Sequence, residues 1–155
     1  ETVRIMNDKF SISFEHAWKY FEIHTQQRMT VFNFYIAIIG LLAAGSGVCL
    51  QQGGKYSYLA SALGLFIVFI SFIFYKLDER VSLLIKKSEV ALKILEEEFN
   101  EPTAMIFKNE SIDNSLNKSI LSTWTYGRCF RVSFGVVAGT GFILLIAPIV
   151  PLLLK

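Results

Sequence analysis

Apolar positions along the chain fall into three long runs, and the stretches between them hold nearly all the charge. No Asp, Glu, Lys, Arg or His occurs between Arg28 and Lys55, and none between Tyr56 and Tyr75. Lys55 stands alone in the turn Gln51-Gln52-Gly53-Gly54-Lys55. A third run, residues 132–154, is equally free of charge and closes on Lys155. A hydrocarbon layer about 30 Å thick is crossed by roughly 20 helical residues, a length each run meets. The pattern predicts an all-α integral membrane protein with three transmembrane helices: a hairpin over 29–75 and a third span over 132–155.

The polar stretches have their own periodicity. Phe14, Ala17, Trp18, Phe21 and Thr25 recur at spacings of three and four, with Lys19, Glu22 and Gln26 on the other side. Residues 1–28 therefore read as an amphipathic cytoplasmic helix, capped by Ser13 and beginning at Phe14. Its polar face is not strongly basic, so its stripe is expected to pack on the central lobe rather than lie on the membrane. Residues 76–131 form that lobe. No Gly or Pro interrupts 76–99, where Leu77, Val81, Leu84, Ser88, Ala91 and Leu95 follow heptad-like spacing. This predicts a helical extension of the second span, able to pair with the N-terminal helix or with the same stalk in another copy. Glu96-Glu97-Glu98 reads as its solvated face. Glu101-Pro102 ends the stalk, 108–119 reads as a loop, and a short helix resumes over 116–126.

Within the spans the informative residues are small or weakly polar. Gly40/Ala44 and Ala43/Gly47 are small-x-x-x-small pairs in the first span, and Ala60/Gly64 is one in the second. Gly135 and Gly139 form another in the third, where Pro148 and Pro151 disturb the far end. Hydrophobicity does not drive helix association in lipid, and small residues let backbones approach closely. These eight positions are the expected helix-packing or oligomer contacts, with the first two spans expected to pair. Asn33, Ser46, Ser61 and Thr140 are the polar groups available to line a passage or bond between helices. Tyr56 and Tyr58 at one boundary, and Tyr75, Trp124 and Tyr126 at the other, fit interfacial aromatic belts.

Composition agrees: 53% of residues are apolar, 18% charged, and 14 are Phe. Residues 1–28 carry Arg4, Lys9, Lys19 and Arg28, and 76–131 carry nine Lys or Arg, against Lys55 and Lys155 elsewhere. Positive charge favours the cytoplasmic side, which puts the N-terminus and central lobe inside the cell and the C-terminus outside. The expected location is the inner (plasma) membrane. Nine acidic residues balance the nine basic ones in the lobe, which excludes the basic footprint of a nucleic-acid binder. Residues 10–28 mix charge with their apolar positions and do not read as a signal peptide. Asn109-Glu-Ser and Asn117-Lys-Ser match the glycosylation pattern incidentally, being cytoplasmic in this topology. Cys49 and Cys129 fall near opposite membrane faces and are expected to be separate packing residues, lipidation of Cys129 being the alternative.

No motif for nucleophilic, metal or phosphate chemistry is present. His16, Tyr20 and His24 share a helical side, without a third ligand nearby. The spans lack the ionisable groups that ion-coupled carriers place in the membrane. The chain reads as a non-enzyme without metal or cofactor.

The segment Tyr20-Phe-Glu-Ile-His-Thr-Gln-Gln-Arg28, then Phe32-Asn-Phe, the small-residue hairpin and Asp78-Glu-Arg80 resemble the bacterial SLATT-type proteins, over residues 14–100. These are two-span membrane effectors with a cytoplasmic helical extension, found in nucleotide-signalled and retron-like anti-phage systems; the third span departs from that pattern. The resemblance implies a homo-oligomeric effector that disrupts the inner membrane and stops infection by killing or arresting the host. The competing reading is a non-conducting sensor or scaffold whose stalk recruits a soluble cytoplasmic protein. A third is an enzyme with an unfamiliar intramembrane site.

Overall fold

The structure, a computed structural model, describes residues 2–98, 105–116 and 124–150, with side chains over 8–98, 105–112 and 124–150. Four helices and no strand occur among them: α1 (Thr2–Gln52), α2 (Tyr56–Glu97), α3 (Ile106–Leu116) and α4 (Tyr126–Ile146). Three of these, α1, α2 and α4, are long and apolar enough to cross a membrane.

Helix α1 is 51 residues long, so Ser13 lies within it and is not its cap. Phe10 and Phe14, one turn apart with rings 6.4 Å between centroids, support the helix across the expected start. It ends where two glycines change the sign of φ. Gly53 (64°) and Gly54 (55°) adopt the left-handed conformation that other residues avoid. The Gly53 amide donates to the Cys49 carbonyl at 3.3 Å, closing the helix as C-terminal glycines do. Two residues later α2 begins and runs 42 residues without a Gly or Pro after Gly64. Helix α4 stops at Ile146, with the Ala147 amide donating to Ile143 and Pro148 next. A proline there cannot extend the amide ladder. Its 21 residues rise about 32 Å, one bilayer core.

Contacts divide the chain into two units, Met29–Glu79 with Thr125–Lys155, and Glu1–Arg28 with Arg80–Trp124. The first unit is built on α1, α2 and α4 around an aromatic centre. Tyr35, Phe130 and Phe134 are buried, with Phe32, Ile39, Ile70, Phe74 and Val137 against them. Phe32 stacks on Phe130 at 4.0 Å, while Tyr35 meets Phe134 at 4.7 Å and 71°. Aromatic pairs of this kind contribute about 0.5–1.5 kcal/mol beyond the area they cover.

The second unit contains the remaining parts of α1 and α2, with α3. Here the structure rotates the expected seam on α2. Val81, Ile85 and Leu92 are buried, as are Ser82, Ser88 and Glu96, while Leu84, Ala91 and Leu95 are half-buried. Leu77, in the first unit, is 44% exposed, and its neighbour Asp78 is buried. The contact line thus runs through 78, 85 and 92 with 81, 88 and 95, one position on from Leu77, Leu84 and Ala91. Val81, Ser88 and Leu95 of the expected seam stay on this line, and Asp78, Ile85 and Leu92 take the places of Leu77, Leu84 and Ala91. Helix α3 also replaces an expected loop. The Glu101-Pro102 break, the second glycosylation match and most of the expected helix over 116–126 lie outside the described residues.

Candidate functional site

In the first unit the geometry centres on one close approach and one polar link. A Cβ added to Gly64 would lie 2.7 Å from the Gly141 carbonyl oxygen and 2.7 Å from the Leu145 nitrogen. One added to Gly141 would lie 2.7 Å from the Ile67 side chain. Gly64 therefore faces α4, where the sequence pointed to α1. The α1–α2 contact at this level is ordinary, with a Cβ on Gly45 3.6 Å from Leu63. Deeper in the same unit the Tyr35 and Ser71 hydroxyls bond at 2.9 Å, both buried.

The remaining predicted positions separate. Ala60 is fully buried, but Gly40, Ala43, Ala44 and Gly47 are exposed, as are Gly135 and Gly139. A Cβ at Gly40, Gly47, Gly135 or Gly139 meets nothing within 4 Å. Ser46 and Ser61 are buried, whereas Thr140 is exposed and bonds back to the Val137 carbonyl. These three hydroxyls do not share a surface. Ser46 donates to the Leu42 carbonyl, and the Ser61 hydroxyl has no partner. Asn33 is exposed and makes no hydrogen bond among the described residues. Cys49 is buried and Cys129 exposed, both free, so Cys129 is no packing residue within the chain.

The second unit holds a helix-capping site that the sequence did not reveal. The Glu96 carboxylate, 4% exposed, accepts the amides of Phe107 at 3.1 Å and Lys108 at 3.2 Å. These are first-turn amides of α3, which have no partner within their own helix. A carboxylate there also meets the positive end of the helix dipole. The Lys108 ammonium bonds Glu97 at 3.0 Å, and the Phe107 ring meets Phe21 (5.3 Å) and Trp18 (6.4 Å) edge-on. Glu96 therefore caps α3 from a buried position, while Glu97 stays on the solvated face and pairs with Lys108 there. Glu89, half-buried on α2, has its carboxyl pushed up by burial and then by Glu110, partly offset by Lys93, Lys86 and Arg28. On α1, His24 donates through Nδ1 to the Tyr20 carbonyl at 2.7 Å, while His16 is exposed. No three His, Cys, Asp or Glu residues converge on a metal position among the described residues.

CD-NTase-associated protein 19 of Escherichia coli is 60% identical to the chain over 143 residues, which is 92% of this chain and 95% of the relative. The chain belongs to the CD-NTase-associated protein 19 family. The unmatched remainder is shorter than any of the three apolar runs, so each run falls at least partly inside the match. No protein-family model matches the chain, and no solved structure matches it.

Proposed function

We propose that the chain is a membrane effector of an anti-phage system linked to a CD-NTase. Several copies assemble in the bacterial inner membrane and permeabilise it when the helical unit outside the bilayer receives its signal. The observation that carries this reading is the surface of the three long helices. Phe34, Leu41, Leu65, Phe69, Val136 and Ile143 are 55–77% exposed, within runs that contain no charge. Apolar surface on this scale is out of place in water and at rest in hydrocarbon. The concentration of Lys and Arg in residues 1–28 and 76–131, against Lys55 and Lys155 elsewhere, supports a cytoplasmic side for the second unit, where an enzyme-derived signal would arise. The family supplies the association with a CD-NTase, and the SLATT-type resemblance supplies the mode of action. No catalytic residue is assigned.

The test is leakage from proteoliposomes. Purified assemblies are assayed alone and with a CD-NTase and its nucleotide products, and an entrapped small dye is expected to be released once the signal is present. A tight membrane under every condition, with protein correctly inserted, would contradict the proposal. One observation favours the scaffold reading: the second unit has an open apolar groove of about 490 Å³, lined by Ile12, His16, Ala17, Ala91, Ile94 and Leu95. Loss of a co-purifying cytoplasmic protein in Ile94→Glu, with membranes tight throughout, would select that reading.

A further inference from the structure

Two adjacent residues of α3 hold it to the rest of the second unit. The amides of Phe107 and Lys108 both donate to the buried Glu96 carboxylate. The Phe107 ring stands edge-on to Phe21 and Trp18, and the Lys108 ammonium pairs with Glu97. Of the three large apolar side chains over 106–112, Ile106 (66%) and Ile112 (49%) are exposed, and Phe107 is the best covered. A helix of 11 residues is marginal in water by itself, so α3 depends on its docked position. Contacts made by two neighbouring residues break together.

The next turn of α3 works against this attachment. Glu110, exposed on α3, acts on the half-buried Glu89 of α2, one heptad before the capping Glu96. Burial pushes the Glu89 carboxyl up and the Glu110 charge pushes it further, while Lys93 and Lys86 of α2 and Arg28 of α1 offset part of the rise. These groups come from all three helices of the unit. Like charges disfavour the ionised form, so a proton on Glu89 favours docked α3 and a second carboxylate charge opposes it. Undocking takes Glu110 away and lets Glu89 fall back towards its ordinary 4.5. Docking is therefore tightest below pH 4.5 and weakens as pH rises through the raised value.

We propose that α3 is a releasable strap: it closes over Phe21 and Trp18 through Glu96, and it opens in one step when Glu89 and Glu110 are both charged, while α1 and α2 stay helical. Opening uncovers an aromatic surface on α1 and frees the Glu96 carboxylate. The strap lies wholly in the second unit and does not rest on the membrane reading. It gives that unit a part that can move when a signal arrives.

Hydrogen exchange of the full chain in nanodiscs from pH 5 to 8, corrected for the intrinsic rate, tests it. The amides of 107–112 are expected to lose protection together, several-fold across the series, while those of 85–92 keep theirs. Glu110 is exposed, so Glu110→Gln leaves the fold intact. It is expected to raise protection over 107–112 several-fold at pH 8 and to flatten the pH dependence, as is Glu89→Gln. Exchange of 107–112 at the same rate as 85–92 would overturn the strap, as would a pH dependence that survives both substitutions. Acrylamide quenching of Trp18 in a Trp124→Phe background gives a second readout. Quenching is expected to rise with pH and to be high at every pH in Phe107→Ala. Quenching that neither pH nor Phe107→Ala alters would show that α3 does not cover Trp18, and the proposal would fall.

Discussion

One added methyl group at Gly64 measures what the approach of α2 to α4 contributes. The Cβ of Gly64→Ala would lie 2.7 Å from both the Gly141 oxygen and the Leu145 nitrogen, and 3.0 Å from the Leu144 carbonyl carbon. Ordinary contact begins near 3.4 Å, so the helices must separate by several tenths of an ångström. All three obstacles are backbone atoms that have no other rotamer to adopt. Overpacking of this sort costs about 1–3 kcal/mol. Alanine also gains up to about 1 kcal/mol over glycine in helix propensity, which masks part of the cost. Gly45→Ala has the same gain and an unstrained Cβ, 3.6 Å from Leu63. The difference between the two variants therefore isolates the close approach. It should amount to about 1–3 kcal/mol, or roughly 0.7 to 2 powers of ten in the unfolding equilibrium. Reversible unfolding in mixed micelles with increasing SDS, followed by circular dichroism, reads it directly. If Gly64→Ala and Gly45→Ala unfold together, α2 and α4 do not meet at this point and the three-helix unit is wrong.

Three further outcomes follow from the described contacts. Glu96→Ala leaves the Phe107 and Lys108 amides without their acceptor, a loss of about 1.5–3 kcal/mol for bonds to a charged group; hydrogen exchange at those two amides should accelerate at least tenfold, and unchanged protection would refute the cap. Glu89 has a carboxyl raised above its ordinary value of 4.5, so the fold binds its proton more tightly than the unfolded chain does. Its stabilisation is complete below pH 4.5 and disappears as pH rises through the raised value. Glu89→Gln should flatten that fall in a stability–pH series, and an unaltered slope would exclude Glu89 as its source. Tyr35→Phe removes the bond to Ser71 at a cost of about 0.5–1.5 kcal/mol, and adding Ser71→Ala should cost little more, whereas full additivity in the double-mutant cycle would show that the hydroxyls are uncoupled.

The hairpin of two long apolar helices was legible because the absence of charge over residues 29–54 and 56–75 is a property of single positions. Pairing was less legible because it depends on which helix comes closest. Gly64 with Ala60 read as a match for Gly40 and Ala44, but a small residue announces room without naming its neighbour, and here the neighbour is Gly141. Half of the α2 seam moved by one position, from Leu77, Leu84 and Ala91 to Asp78, Ile85 and Leu92, because a run of adjacent apolar residues leaves two registers open and a count of apolar residues passes over the buried Asp78. Helix α3 has little periodicity of its own over Ile106–Leu116 and depends on a carboxylate ten residues upstream. Only a Glu aimed at its first turn distinguishes it from a polar loop.

The account depends most on three helices threading a bilayer with the second unit in the cytosol, and impermeant maleimide labelling of single cysteines tests that directly. In spheroplasts of a Cys49→Ala, Cys129→Ser background, Gly54→Cys in the hairpin turn should label with the membrane intact. Glu97→Cys should label only after the membrane is opened. Glu97→Cys labelling in sealed spheroplasts, or both positions labelling in a fraction that carries no lipid, would contradict the account.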